Sequence, residues 1–514
     1  MHTLYRSEEI AQMDARALEQ GATLESLTSA VGRQMARCVC QAHPHGRVWI
    51  FCGPGLNGTD GVALAAELAA THQVRLFCLG KGQERAERQF HLRRLKETRV
   101  EVYTIENFAH WGQGLTDSTP NLVVDALFGT GSNRAPEGMF AAAIETINTL
   151  GKEADVWAVD LPSGVFPDAG GVHQAVVQAH HTVTFMGYKP AHLLFPAAEK
   201  AGRVQVVYPF ESDYRAQIPR GWFTQSDVRP ITRARASHKG TYGCVVAVVG
   251  SRTMVGAGEM CVKSALRAGC GTLVLASPCT VSPFYRNKLT CAMTQDMPDT
   301  DGQYDRGGAP ILASLLAHAN AAVLGPGMGQ GAGIAELLQA ALAASVPLVL
   351  DADALNTLAR LERTDWLRHA AGPVVLTPHP MELARLMRVE VSDLLGDPFS
   401  YSERFARETG CIVVLKNAST IVAAPDRSAV ITTGGPGMAK GGSGDVLAGC
   451  ITGLLAQGYA PFYAACLGVY VCGRAGEKAQ QRLGMTAMLP TDTIAALPEV
   501  FRSLEQKQGD ALFE

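Results

Sequence analysis

Through the first 210 residues, short apolar runs alternate with stretches whose apolar side chains recur every three or four positions. The runs predict strands at Val48–Cys52, Val74–Leu79, Val100–Thr104, Leu122–Asp125, Val156–Asp160, His181–Phe185 and Val204–Tyr208. The helical spacing predicts helices over Leu24–Ala42, Gly61–Ala70, Arg85–Glu97 and Phe140–Leu150. Strands that alternate with helices imply a largely parallel sheet covered on both faces.

The pattern breaks at Glu211–Ser237, which carries charges, prolines and no periodicity and reads as a linker. A second alternating series follows, with strands at Cys244–Val249, Thr272–Ala276, Ala322–Leu324, Leu348–Leu350, Val374–Leu376 and Ile412–Leu415. A hairpin is expected from Thr420–Ala424 and Ala429–Thr432. Val446–Gly473 is uncharged and long enough to span a bilayer, yet Gln457, Gly458 and Pro461 interrupt it. Two buried helices joined by a turn are expected there. No internal repeat links the halves, so two different α/β domains are predicted, over residues 1–215 and 225–510.

Length agrees with this division, since 514 residues exceed one ordinary domain of roughly 100–200. Lys and Arg total 45 against 48 Asp and Glu, so no basic excess points to nucleic acid. Thirteen cysteines include no C-x-x-C pair, which argues for buried thiols in a reducing compartment and against structural zinc. The first twenty residues are charged and lack the apolar core of a signal peptide, so a cytoplasmic protein with no membrane partner is expected.

Ligands of open parallel sheets sit beyond the carboxyl ends of strands. Gly53-Pro-Gly-Leu-Asn-Gly-Thr-Asp-Gly61 follows the first strand and opens a helix, although it does not satisfy the G-x-G-x-x-G fingerprint. Asp125-Ala-Leu-Phe-Gly129-Thr-Gly131 and Asp160-Leu-Pro-Ser-Gly164 end two further strands. One Asp alone reads as a turn cap; three such strand ends converge on a pocket. Asn57, Asp125 and Ser163 supply hard oxygens suited to a small cation. Asp160 suits a general base, with Lys189 as its charged counterpart.

In the second half, six glycines between Gly434 and Gly444 deliver Asp445 to the start of an apolar helix. Backbone N–H groups of such a loop can hold a transferring phosphoryl group, and Asp445 is placed to take a proton from an attacking hydroxyl. Gly325–Gly329, Leu350–Asn356, Leu376–Glu382 and Lys416–Thr420 also follow apolar strands. His379, between two prolines, reads as a ligand contact. His238-Lys239-Gly240 precedes the second domain's first strand.

Taken together, these motifs resemble the bifunctional NAD(P)H-hydrate repair enzymes. The first half looks like a Rossmann-like three-layer α/β/α NAD(P)H-hydrate epimerase domain, and the second like a ribokinase-like NAD(P)H-hydrate dehydratase domain. The resemblance implies that the R and S epimers of a water adduct of NADH or NADPH are interconverted. The S form is then dehydrated while ADP becomes AMP and phosphate. It places potassium on Asn57, Asp125 and Ser163. It places the epimerase substrate on Asn57, Gly58, Thr59, Asp60, Gly61, Gly129, Thr130, Gly131, Ser132, Asn133, Arg134, Ala135 and Asp160. In the dehydratase it places the hydrate on Ala257, Gly327, His379 and Asp445. The nucleotide, with Mg2+, falls on Lys416, Asn417, Ala418, Ser419, Thr420 and Gly444. Catalysis falls to Asp445, Asp160 and Lys189, and a homo-oligomer acting on small molecules is expected.

Four positions depart from the family pattern: Thr59 and Asn417 stand where Gly is usual, Lys440 where Thr is usual, and Met381 in place of Gly. Thr59 would add a side chain where backbone meets ligand, and Lys440 a phosphate contact. The alternative reading is a vitamin-precursor kinase carrying an N-terminal ligand-binding regulatory module.

Overall fold

The computed structural model describes residues 1–81, 85–106, 119–131, 134–229 and 231–505. The chain divides into two compact units, one spanning His2–Pro219 and the other comprising Met1 with Arg220–Glu514.

The first unit is built on a parallel seven-stranded sheet. From one edge to the other its strands are Glu101–Ile105, His72–Leu79, Gly46–Cys52, Leu122–Ala126, Asp155–Val159, His181–Phe185 and Arg203–Val207. Side chains alternate between two cores along each strand. Val48, Ile50 and Cys52 pack on one face of the sheet, and Trp49 and Phe51 on the other. Helices Leu24–Ala42 and Leu56–Leu68 cover the first face, and helix Met139–Leu150 covers the second. The chain winds outward from Gly46–Cys52 in one direction, then resumes at Leu122–Ala126 in the other. That reversal opens a crevice at the carboxyl ends of these two strands.

The second unit repeats the principle on a larger sheet, ordered Arg220–Trp222, Ser428–Ile431, Thr420–Ala423, Ile412–Leu415, Val374–Leu376, Leu348–Leu350, Ala321–Leu324, Cys244–Val248, Thr272–Pro278 and Met293–Met297. Pairing is parallel from Met293–Met297 through Ile412–Leu415. The expected hairpin then adds two antiparallel strands. Its reversal point lies between Cys244–Val248 and Ala321–Leu324. The uncharged stretch forms two buried helices, Ser443–Ala456 and Pro461–Leu483. No helix among the described residues is long and apolar enough to cross a membrane.

Part of the segment read as a linker is sheet: Arg220–Trp222 pairs parallel with Ser428–Ile431. Arg220 there donates two hydrogen bonds of 2.8 Å to the buried Glu403. A three-residue edge strand with a charged member leaves no apolar run, so its pattern gives no warning.

Candidate functional sites

In the first unit the helix after the glycine loop starts at Leu56, so Asn57 lies on its first turn and Asp60 just beyond it. Gly129 closes against Asn57: a Cβ there would stand 3.1 Å from Asn57 Oδ1. Asp125 is fully buried and receives hydrogen bonds from Ser163 N (2.7 Å), Ser163 Oγ (2.6 Å) and Leu127 N (3.1 Å). Burial outweighs these bonds and pushes its pKa up to about 6. Asn57 Nδ2 is buried without a hydrogen-bond partner among the described residues. The structure thus brings Asn57, Asp125 and Ser163 together through Gly129 and Phe128, whose N–H donates to Ser163 Oγ at 2.9 Å.

Asp160 lies beside this group, held with a positive φ of 67°, a left-handed conformation that Asp adopts more readily than most side chains. Lys189, wholly buried, donates to Asp160 Oδ1 at 2.6 Å, and Thr184 Oγ1 donates to the same oxygen at 2.9 Å. Oδ2 accepts no hydrogen bond among the described residues. Burial raises the Asp160 pKa, but the charge and hydrogen bond of Lys189, with His192 and Thr184, outweigh it and hold the carboxyl below its usual range. His192 is pushed down to about 4 by burial and by Lys189. Its neutral ring links Lys189 N (3.0 Å) to the Asp160 carbonyl (2.9 Å).

Two more carboxyls share the field of this pair. Asp60 is driven well above its usual range by burial, then by Asp160 and Asp14, against the opposing charge of Arg88. Asp14, on helix Ser7–Glu19, is pushed up to about 6 by burial and Asp160, against Lys189. Neither makes a hydrogen bond or ion pair among the described residues. The sequence reading missed Asp14, because its helix is too polar to stand out. It also missed Thr184 and His192, although His192 lies three residues beyond Lys189 in the same strand-end segment.

Thr59 corrects an expectation. Its side chain is fully buried, 3.4 Å from both the Gly55 carbonyl and Arg88 Nε, so it points into the protein. Gly58 is likewise buried, and Gly61 packs on Cys52 and Ala126. After Gly129, Thr130 is half-buried and Gly131, Arg134 and Ala135 are exposed, while Ser132 and Asn133 fall outside the described residues.

In the second unit Asp445 occupies the first turn of Ser443–Ala456. This helix presses on Val255–Arg267 where Gly449 and Gly453 lack side chains: a Cβ would stand 2.1 Å from the Cys261 carbonyl and 2.4 Å from that of Ala265. Lys416 Nζ donates to the buried Asp351 at 2.8 Å, directly under Gly444. Burial and Asp351 push Asp445 up to about 7, with Lys416 opposing and Asp353 adding. Its carboxyl makes no hydrogen bond or ion pair among the described residues. Ala257 and Gly327 meet, since a Cβ on Gly327 would stand 2.8 Å from that of Ala257. His379 caps helix Pro380–Met387, and its N–H donates to Glu382 at 2.9 Å. Asn417 and Ala418 are exposed, whereas Ser419 and Thr420 are buried. The carboxylates Asp351, Asp353 and Glu382 belong to quoted motifs, yet only the fold reveals that they surround Lys416 and Asp445.

Lys440 also departs from expectation. Its ammonium donates to the carbonyls of Thr486 (2.7 Å) and Met488 (2.6 Å), so it fastens the glycine loop to a neighbouring segment. Gly434 and Gly437 are pinned in the same way by Glu477 (2.9 Å) and Gln480 (3.1 Å).

Comparison with known proteins gives two family matches, "YjeF-related protein N-terminus" over residues 24–191 and "NAD(P)H-hydrate dehydratase" over residues 245–499. The bifunctional NAD(P)H-hydrate repair enzyme of Moorella thermoacetica is 37% identical over 472 residues, covering 90% of this chain and 88% of that protein. The chain belongs to the bifunctional NAD(P)H-hydrate repair enzymes. The member of this family from Escherichia coli is 31% identical over 97% of this chain and 94% of its own length. Among solved structures, a Bacillus subtilis ADP/ATP-dependent NAD(P)H-hydrate dehydratase co-crystallised with ATP/Mg2+ is 30% identical, with a TM-score of 0.49. It covers 55% of this chain and 99% of its own. Membership of the repair family accounts for both α/β units and for their order along the chain.

Proposed function

We propose that this chain interconverts the R and S hydrates of NADH and NADPH in its first unit and dehydrates the S form in its second. ADP is converted to AMP and phosphate in the second step. Asp445 is the observation that carries the reading: an unpartnered carboxyl with a pKa near 7, on a helix N-terminus above Lys416. A base poised near the working pH is what proton abstraction from a hydroxyl requires.

Asp445 removes the hydrate's hydroxyl proton, and the oxygen attacks the terminal phosphorus as the bond to AMP breaks. The first-turn N–H groups and Lys416 meet the charge that develops on the phosphoryl oxygens. Phosphate then leaves the ring carbon as the ring-nitrogen lone pair moves in, and loss of a neighbouring proton restores the dihydropyridine. Ala257, Gly327 and His379 receive the hydrate, and Asn417–Thr420 with Gly444 the nucleotide, which brings Mg2+ with it.

In the first unit the carboxyls divide the acid–base work. Asp160, ionised by Lys189, faces the substrate with its open Oδ2 and stabilises a cationic ring. Asp60, whose burial and acidic neighbours favour its protonated form, gives its proton to the departing hydroxyl; water then adds to the other face of the ring, its proton goes to solvent, and Asp60 is reprotonated from solvent. Asn57, Asp125 and Ser163 fit a potassium ion: their oxygens are hard, and among the described residues no cationic side chain pairs with the buried Asp125. Potassium held there would supply positive charge beside the crevice. Substrates drawn from central metabolism put the work in the cytoplasm.

The test is incubation of the protein with NADH hydrate, ADP or ATP, Mg2+ and K+, following the return of NADH absorbance. Recovery of both epimers with release of free phosphate is expected. A stable phosphorylated product, or no recovery with either nucleotide, would refute the reading.

A further inference from the structure

Arg88 is fully buried on helix Ala86–Leu95, a place where a guanidinium persists only if its donors are used. Its Nη2 donates to the carbonyls of Gly53 (2.5 Å) and Gly55 (3.0 Å), and its Nε lies 3.4 Å from Thr59 Oγ1. All three partners belong to the turn that leaves strand Gly46–Cys52 and to the helix it starts. The Gly55 carbonyl also accepts the N–H of Thr59 at 3.2 Å, so one oxygen ties the turn, the helix and the guanidinium together. The guanidinium reaches the two carbonyls through Nη2 and Thr59 through Nε, and a single ammonium has no second nitrogen for the last of these. Gly58 leaves the room for it: a Cβ there would stand 2.5 Å from Arg88 Nη2.

We propose that Arg88 is the positioning residue of the epimerase crevice, a buried clamp that sets the glycine turn and thereby the places of Asn57 and Asp60. The two carbonyls are drawn toward Arg88. Because a peptide's N–H points opposite its carbonyl, the N–H of Leu56 then faces away from the clamp. Thr59 is part of the same device, its hydroxyl filling the space beside the fork. Asp60, one turn beyond Gly55, lies within the field of Arg88, Asp14 and Asp160, while Lys189 and His192 engage Asp160 from the far side. The inference rests on the epimerase reading of this site and extends it to a residue that no ligand touches.

The experiment uses the full chain with separated NADH hydrate epimers and compares Arg88→Lys, Arg88→Gln and Thr59→Ala with the parent. Arg88→Lys keeps the charge and loses the fork. A turn displaced by about 1 Å is expected to lower kcat for epimerisation by about a hundredfold, with a smaller change in KM. Arg88→Gln should do the same and also move the alkaline limit of kcat upward, because Asp60 loses the cation that favours its ionised form. Thr59→Ala should cost less than tenfold. Dehydration by the second unit of the same molecules should stay at the parental rate and controls for enzyme concentration, while circular dichroism and the thermal melt of the first unit report its folding. An unchanged kcat and pH profile in both Arg88 variants would overturn the clamp. So would an effect of Arg88→Lys confined to thermal unfolding. If Arg88→Gln fails to fold, Arg88→Lys alone decides. A parent chain that does not interconvert the epimers would instead refute the epimerase reading.

Discussion

Replacing Asp445 by Asn should abolish dehydration and, at alkaline pH, make the second unit more stable. The carboxyl's pKa rises from 3.8 unfolded to about 7 folded, because burial and Asp351 disfavour its charge more than Lys416 favours it. About three pKa units correspond to roughly 4 kcal/mol. The sign follows from linkage: the folded state holds the proton more tightly, so this group's contribution is most favourable below pH 3.8. It declines as pH rises through about 7. The amide that replaces the carboxyl carries no charge and escapes that cost. At pH 8 the variant should therefore gain up to about 4 kcal/mol, raising Tm by several degrees, while at pH 4 the two proteins should melt together. Loss of the base should lower kcat for dehydration by a factor of about 10²–10⁴. In the parent, kcat/KM should rise about tenfold between pH 6 and pH 8 as the base ionises. Thermal melts at the two pH values, beside phosphate release under saturating ADP, decide the matter. A variant that melts earlier at pH 8, or that still turns over at the parental rate, would refute the reasoning.

Gly449→Ala should destabilise the second unit by about 1–3 kcal/mol, since its methyl meets the Cys261 carbonyl and forces the two helices apart; a melt followed by circular dichroism measures this, and dehydration should fall with it. Lys440→Met should raise the KM for ADP and for ATP by the same factor, because the ammonium fastens the loop through Thr486 and Met488. A loss confined to ATP would instead place it on the phosphate chain. Asp125→Asn should remove the dependence of epimerisation on potassium, read by titrating K+ at constant ionic strength, with dehydration untouched.

Strands whose apolar runs are buried on both sides were legible in the chain: His181–Phe185, Leu348–Leu350 and Ile412–Leu415 begin and end where their composition says. Helix Leu24–Ala42 was equally clear, for its apolar stripe starts right after the Thr23 cap. Helix Ser7–Glu19 was not, because only Met13 in it is buried. Edge strand Met293–Met297 carries Thr, Gln and Asp, and packing against Thr272–Pro278 rather than its own pattern makes it a strand. The polar strand ends pointed to Asn57, Asp125 and Asp160 because position along a parallel sheet constrains where a ligand can sit, and the run of glycines ahead of an apolar helix pointed to Asp445. Direction of a side chain is another matter. Thr59 and Lys440 lie in the segments the motifs singled out but turn toward Arg88 and toward backbone carbonyls, and partners from distant segments decide that. Asp14 illustrates the same gap, since its role depends on charges brought near by the fold.

The two units, each with its own core and its own crevice, are translated as one polypeptide. Their copy numbers are therefore locked at parity whatever the level of expression. Neither activity can be titrated away from the other by gene dosage or turnover. Under the proposed chemistry, a cell that makes more of this protein raises its capacity for both epimers of the damaged nucleotide in step.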